Sequence, residues 1–295
     1  MTSAVETIPA PVATGGRAPK QATSGSRAKI VKFALLSIFL VLVLMPAYVM
    51  IVTSFKAPSD ISPSTSWALP RNWSTQGWSK AWHELAGPMF RSLVLAVSAA
   101  VISSVLGSLN GFVFSKWKFP GANLVFTLFL FGMFIPYQAI MIPLQQMLFN
   151  DLGLHQGILA LIVVHTVFGI PICSLIFRNY YATAIPDEIL EAAKVDGAGM
   201  FRTYGSIVLP LSIPGFVVAL IWQFTSAWND FLFALFLSNS TNGPATYVLQ
   251  QLSGGQNPDY ASSMAGALIT SAPTLAIYIF LGRYFIGGLM SGSVK

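Results

Sequence analysis

Among the ionisable side chains inside the long apolar stretches of this sequence, His165 and Asp230 matter most, and the amides of Gln138, Gln223 and Asn229 join them as candidates. Groups of this kind are costly at membrane depth and usually face a cavity or a partner helix. Trp228, Asn229 and Asp230 are consecutive in the tetrapeptide WNDF. A tryptophan offers a flat apolar face, and the amide and carboxylate offer hydrogen bonds to hydroxyl groups, so the trio suits the wall of a path for a hydroxylated solute. Gln223, Ser226 and Asp230 are spaced i, i+3, i+7, with Trp222, Thr225 and Asn229 on the adjoining stripe, which gives one helix a water-facing side. Plainer readings stand beside these. Asp230 also fits a helix-end anchor, Gln138 a kink between Pro136 and Pro143, and His165 a hydrogen bond between helices.

A second constellation is EAAKVDGAGMFRTYGSIVLP, from Glu191 to Pro210, which holds four charged residues in a chain that is 9% charged. Upstream, Pro186 suits the start of a helix, and Asp187 and Glu188 suit the positive end of its dipole. Asp196-Gly197 is a turn signal, with Gly197 able to take the positive φ that ends a helix. A second short helix is expected from about Met200 to Val208, before Pro210 interrupts the pattern. Ala192, Ala193 and Gly197 leave little bulk on this helix–turn–helix, so another protein surface can approach closely. An amphipathic connector lying on the membrane surface is the other reading, and the residues alone do not separate the two.

No catalytic residues are assigned. There is no G-x-x-x-x-G-K-[ST] phosphate loop, and no glycine directly precedes a lysine. His83, His155 and His165 lack metal-ligand spacing, Cys173 is the single cysteine, and no G-x-S-x-G elbow occurs, so neither a metal site nor a hydrolase is expected.

The elements that must position these residues are membrane helices. Of the 295 residues 54% are hydrophobic, and apolar stretches near 31–54, 92–114, 121–147, 157–177, 211–237 and 263–289 approach the roughly 20 residues that a spanning helix needs. The expected fold class is all-α, a polytopic membrane protein with six transmembrane helices. With the N-terminus inside, twelve of the sixteen basic residues fall on the cytoplasmic side and only Lys56, Arg71, Lys80 and Arg91 fall outside. Both termini are therefore expected in the cytoplasm, and the net charge of +6 needs no nucleic-acid partner. Residues 1–28 read as a disordered cytoplasmic tail, since their composition cannot build a core. Residues 29–295 form the membrane domain. Gly107 and Gly111 make a GxxxG pair, compatible with close helix contact. Residues 238–261 contain no Lys or Arg and read as an exposed, partly irregular external loop.

Glu191-Ala192-Ala193, Gly197, Ile207, Leu209 and Pro210 match in full the EAA signature of permease subunits from binding-protein-dependent ABC importers. FIPYQAIMIPL (Phe134 to Leu144), WNDF and the ending RYFIGGLMSGSVK extend the likeness, so the chain from about Lys29 to Lys295 resembles a sugar-importer permease of the maltose-permease type. The tail to Ser26 has no counterpart in that pattern. The resemblance implies that the loop at about 182–210, Asp196 included, is the coupling element seated in a groove of an ATPase subunit. It also implies a second homologous permease, an ATPase dimer that binds the ATP and Mg, and an extracytoplasmic sugar-binding protein. Ser253, Gly254, Gly255 and Gln256 would form the tip that reaches toward that binding protein. The chain itself would need no cofactor and would lie in the cytoplasmic membrane. A permease for glycerol phosphate or a polyol, a secondary transporter and a non-transporting scaffold are the alternatives. A secondary transporter would be marked by an inverted repeat and a mid-membrane carboxylate.

Overall fold

A computed structural model describes residues 26–117, 119–254 and 258–290, with side chains from 28 to 282 within those ranges. Among the described residues the chain is helical, apart from turns and one isolated β-bridge between Lys56 and Trp73. The helices are α1 (Ser26–Ser54), α2 (Gln76–Lys116), α3 (Ala122–Phe131), α4 (Tyr137–Gln146), α5 (Ile158–Ala184) and α6 (Asp187–Val195). They continue with α7 (Met200–Thr203), α8 (Leu209–Leu211), α9 (Ile213–Asn229), α10 (Leu232–Leu237), α11 (Ala245–Ser253) and α12 (Tyr260–Met290). The expected tail lies outside the described residues for all but its last three positions.

By contacts the chain divides into residues 1–47 and 48–295. In the first unit the described part is the start of α1, whose apolar side chains, Phe33, Leu36 and Phe39 among them, surround the helix. A helix apolar all round suits lipid.

The second unit is organised on α2 and α5. One face of α2 is built from small residues, Ala96, Ala99, Ala100, Ser103, Ser104, Gly107, Ser108 and Gly111, all buried. Small side chains let two backbones approach closely, which is how helices gain contact in lipid. At Gly107 an added Cβ would stand 2.4 Å from the Cβ of Cys173, and at Gly111 it would stand 2.6 Å from that of Phe177. The GxxxG pair is thus the point where α2 lies against α5.

Among the described residues four helices are long and apolar enough to cross a membrane, and the count reaches six when each of two bent pairs is taken as one span. The expectation of six spans holds in number, but two of them are not the single helices that the apolar stretches imply. The third breaks between Ala122–Phe134 and Tyr137–Asp151 at 90°. Pro136 has no N–H and forces Ile135 out of the helical region, to φ −70° and ψ 120°, so the helix cannot pass through. The fifth ends at Asn229, because Asp230 is extended at φ −68° and ψ 135°, and α10 begins after it. At its other end Met200–Leu211 meets Ile213–Asn229 at 79°.

The region expected as a partly irregular external loop contains the nine-residue helix α11, which the sequence reading did not single out. Pro244 precedes its first turn, and the Ala245 N–H is satisfied by the Ser92 hydroxyl at 2.8 Å. Arg91 Nε donates to the Gly243 carbonyl at 2.9 Å and holds the turn before it.

Candidate functional site

The charged stretch folds from its own local signals. Pro186 takes φ −64° and ψ 142°, and α6 follows with Asp187 and Glu188 in its first turn. It ends in a Schellman motif, in which Ala198 N–H donates to the Ala193 carbonyl at 2.9 Å and Gly197 N–H to that of Lys194 at 3.0 Å. Gly197 has φ +74°, the left-handed value that the turn requires.

Pro210 does not interrupt the second helix as expected. The chain is helical from Met200 to Leu211, with a wider π turn at Tyr204–Val208 in which Leu209 N–H reaches the Tyr204 carbonyl. The wider turn accommodates a proline ring that would collide with the carbonyl four residues back in a regular α-helix. The helix turns only afterwards, at Ser212.

Two faces of this element do different work. Leu190, Ala193, Tyr204 and Val208 are buried, and all but Ala193 belong to one cluster with Phe112, Phe177 and Tyr181 of α2 and α5. Lys116, whose side chain is 8% exposed, pairs through Nζ with Asp187 at 2.7 Å. On the outer face Glu191, Ala192, Asp196 and Gly197 are exposed, with Val195 at 87% and Phe201 at 76%. Ile207 is half-buried, and Leu209 and Pro210 are exposed. Val195 and Phe201 were not singled out from the sequence. The signal was there, since each is an apolar residue beside charged or polar neighbours at a turn.

A cleft of about 420 Å³ lies in the other half of the unit. It is walled by His165 and Gly169 of α5, Trp222, Gln223, Ser226 and Asn229 of α9, and Asp230, with Tyr137, Phe168 and Phe233 supplying aromatic surface. His165, Gln223, Asn229 and Asp230 are therefore brought together. The two stripes merge on its wall, with Thr225 alone of their members not part of it.

Asp230 Oδ2 lies 3.5 Å from His165 Nε2, within ion-pair distance, and this buried imidazole nitrogen has no hydrogen-bond partner among the described residues. The same carboxylate oxygen accepts Ala234 N–H at 3.3 Å. The Phe233 ring meets the imidazole edge-on at 5.4 Å between centroids. Gln223 is 2% exposed and its amide donates to the His165 carbonyl at 2.7 Å, so it ties α9 to α5 as well as lining the cleft. Gly169 leaves the room for that amide, because a Cβ there would stand 2.4 Å from the Gln223 side chain.

Trp228 stands outside the cleft, and its reading as a pathway wall is corrected. It is 3% exposed, stacks on Phe224 at 5.5 Å and donates its indole N–H to the Thr270 carbonyl at 2.9 Å. Gln138 is exposed on α4 and does not line the cleft; its neighbour Tyr137 does. Ser253 and Gly254 are exposed at the end of α11, with the Ser253 hydroxyl on the Leu249 carbonyl at 3.1 Å. Gly255 and Gln256 lie outside the described residues.

Residues 103–289 match the family model of the binding-protein-dependent transport system inner membrane component. The xylose/arabinose import permease protein XacI of Haloferax volcanii is 31% identical over 88% of this chain and 92% of its own length. A probable ABC transporter permease protein of Pyrococcus horikoshii is 49% identical over 56% of this chain and 60% of that relative. Among solved structures, a chain of a bacterial ABC transporter involved in the import of the acidic polysaccharide alginate superposes with a TM-score of 0.76 at 20% identity, covering 91% of this chain and all of that one. That likeness concerns the fold.

Proposed function

The chain belongs to the binding-protein-dependent transport system inner membrane component family, and we propose that it is one permease subunit of an ATP-driven importer for a neutral mono- or oligosaccharide. The observation that carries this reading is the exposed outer face of α6 and its turn. Glu191, Ala192, Asp196, Gly197, Val195 and Phe201 together offer small, apolar and charged groups to a partner, while the other face of the same element is locked into the helix core.

In this reading an ATPase subunit receives the face formed by Glu191, Ala192, Val195, Asp196 and Gly197, while Ala193, expected on that face, is buried against the core, and Ile207, Leu209 and Pro210 stand at the edge of the contact. ATP and Mg are bound by the two ATPase chains, whose closure moves the coupling loop. A homologous permease completes the translocation path, and an external binding protein delivers the solute near Ser253 to Gln256. The coupling loop and both termini face the cytoplasm, consistent with the distribution of basic residues.

Relatives of the family include a permease named for pentoses, which supports a carbohydrate as solute. Within the cleft Asn229, Asp230 and Ser226 offer hydroxyl partners, and aromatic rings offer apolar faces. No lysine or arginine lines it among the described residues, and Asp230 brings a carboxylate. That composition favours a neutral sugar over a phosphorylated or acidic one.

The test is co-purification of the ATPase subunit from membranes that express both proteins. Wild type should retain it, whereas Gly197→Leu and Glu191→Ala should insert normally and lose it. Full retention in both variants would leave the outer face without a docking role.

A further inference from the structure

Four buried hydroxyls link the coupling loop to the helix core, and the hydrogen count fixes the direction of every bond among them. Ser212 Oγ donates to the Val208 carbonyl at 2.5 Å. Having spent its hydrogen, Ser212 can only accept from Tyr181 Oη, 2.9 Å away. Tyr181 has then spent its own hydrogen, so it accepts from Ser108 Oγ at 2.6 Å. Ser108 in turn accepts from Tyr204 Oη at 2.8 Å. One ordered chain therefore runs Tyr204 to Ser108 to Tyr181 to Ser212 to Val208, with no hydrogen unspent. Ser108 lies on α2, Tyr181 on α5, Tyr204 in the π turn after the motif helix, and Ser212 at the 79° bend into α9. The exposures are 0% for Ser108, Tyr181 and Ser212 and 8% for Tyr204, so water does not compete for these bonds.

The end of the chain explains why the bend has one geometry. In a continuous helix the Val208 carbonyl would take the N–H of Ser212; here that N–H goes to the Leu209 carbonyl at 3.0 Å, and the Ser212 hydroxyl takes its place. A buried carbonyl left without a partner is expensive, so the hydroxyl keeps the bend closed. Tyr181 and Tyr204 are also held as rings. Phe112 packs edge-on against Tyr181 at 6.4 Å and tilted on Tyr204 at 5.7 Å.

We infer that this hydroxyl chain is the linkage by which displacement of the coupling loop is delivered to α2, α5 and α9 together. Tyr181 and Tyr204 are its positioning residues. The inference rests on the importer reading above and goes beyond it, since the chain touches neither the outer docking face nor the solute cleft. Packing alone would hold the loop in place with phenylalanine at both positions. The ordered hydroxyls add coupling that packing lacks: a bond lost at one position leaves the next hydroxyl without its donor or acceptor, so the four groups respond as a unit.

The experiment uses the complete transporter in liposomes and reads solute taken up per ATP hydrolysed, with thermal stability and ATPase retention measured on the same preparations. Tyr181→Phe and Tyr204→Phe keep their rings and lose a hydroxyl each. Both should retain the ATPase and still hydrolyse ATP, with uptake per ATP reduced about five-fold, the shift expected for one net hydrogen bond. The double variant should be no worse than Tyr181→Phe alone, because either change severs the same chain. Tyr48→Phe, which removes a hydroxyl on α1 that donates to the Trp67 carbonyl and takes no part in this chain of bonds, should keep the wild-type ratio. A wild-type ratio in Tyr181→Phe and Tyr204→Phe, or a loss that only follows reduced stability, would overturn this inference and leave the importer reading intact. Absence of ATP-driven uptake by wild type would overturn both.

Discussion

Replacing Gly111 by Ala tests the α2–α5 contact on which the rest of the unit is built. The added Cβ would stand 2.6 Å from the Cβ of Phe177, 2.8 Å from the backbone nitrogen of Arg178 and 3.0 Å from the backbone carbon of Phe177. Two of these three atoms are backbone, so no rotamer change relieves the overlap. Reaching an ordinary carbon contact of about 3.5–4 Å requires the helices to part by about 1 Å. Forced separation of a packed core costs about 1–3 kcal/mol. The same substitution also brings a helix-propensity gain of about 1 kcal/mol, which would obscure the result if measured alone. Gly87, in the same helix, supplies the reference: its added Cβ meets only the tip of Arg91, at 3.6 Å. The propensity gain is common to both, so Gly111→Ala should be less stable than Gly87→Ala by about 1–3 kcal/mol. Gly107→Ala should behave likewise, and the double variant should cost less than the two singles added, because one displacement clears both sites. Equilibrium unfolding in detergent micelles gives these differences directly. If Gly107→Ala and Gly111→Ala match Gly87→Ala, the close approach is not what holds the two helices together.

Gly197→Ala should cost only the strain of its positive φ, about 1–2 kcal/mol in unfolding, because among the described residues nothing beyond its chain neighbours lies within 4 Å of the added Cβ; a larger loss would mean the turn packs differently. Trp228→Phe should lower stability by about 1 kcal/mol through the lost bond to the Thr270 carbonyl, with solute preference unchanged; an altered preference in uptake competition would return Trp228 to the path. Burial pushes the Asp259 carboxyl up, but the Ser262 N–H, Lys80 and the Ser262 hydroxyl outweigh it and hold it below the usual carboxylate range. Its contribution is therefore present above the unfolded-state pKa and lost as pH falls through the lower folded value. Unfolding measured against pH should show a flatter acid limb in Asp259→Asn, and an unchanged limb would remove this role.

What was legible in the sequence was local. Pro186, Asp187 and Gly197 specify the start and stop of α6 through their own backbone preferences, and each behaves as those preferences demand. Long apolar stretches likewise announce membrane helices, because length and apolarity are all that spanning requires. The breaks were harder to read. Pro136 and Pro143 both read as kinks in one span, yet Pro143 sits inside α4 and Pro136 turns the chain. A proline removes a bond; what packs against the gap decides the angle. Trp228 was misplaced because it adjoins Asn229, and adjacent residues on a helix point about 100° apart. Helix α11 was missed although Pro244 and Gly254 bracket it and Val248, Leu249 and Leu252 give it an apolar face. The hydroxyl chain was beyond reach, since Ser108 is separated from Tyr181 by 73 positions and from Tyr204 by 96, and only the packed helices bring them together.

The most direct measurement is uptake of a labelled neutral sugar by liposomes holding this chain with its partner permease and ATPase subunits, binding protein outside and ATP within. The account predicts accumulation that needs both ATP and the binding protein, fails with Gly197→Leu in this chain, and is not competed by a uronic-acid oligosaccharide. Uptake that persists without the ATPase subunits, or that follows an ion gradient instead of ATP, would contradict it.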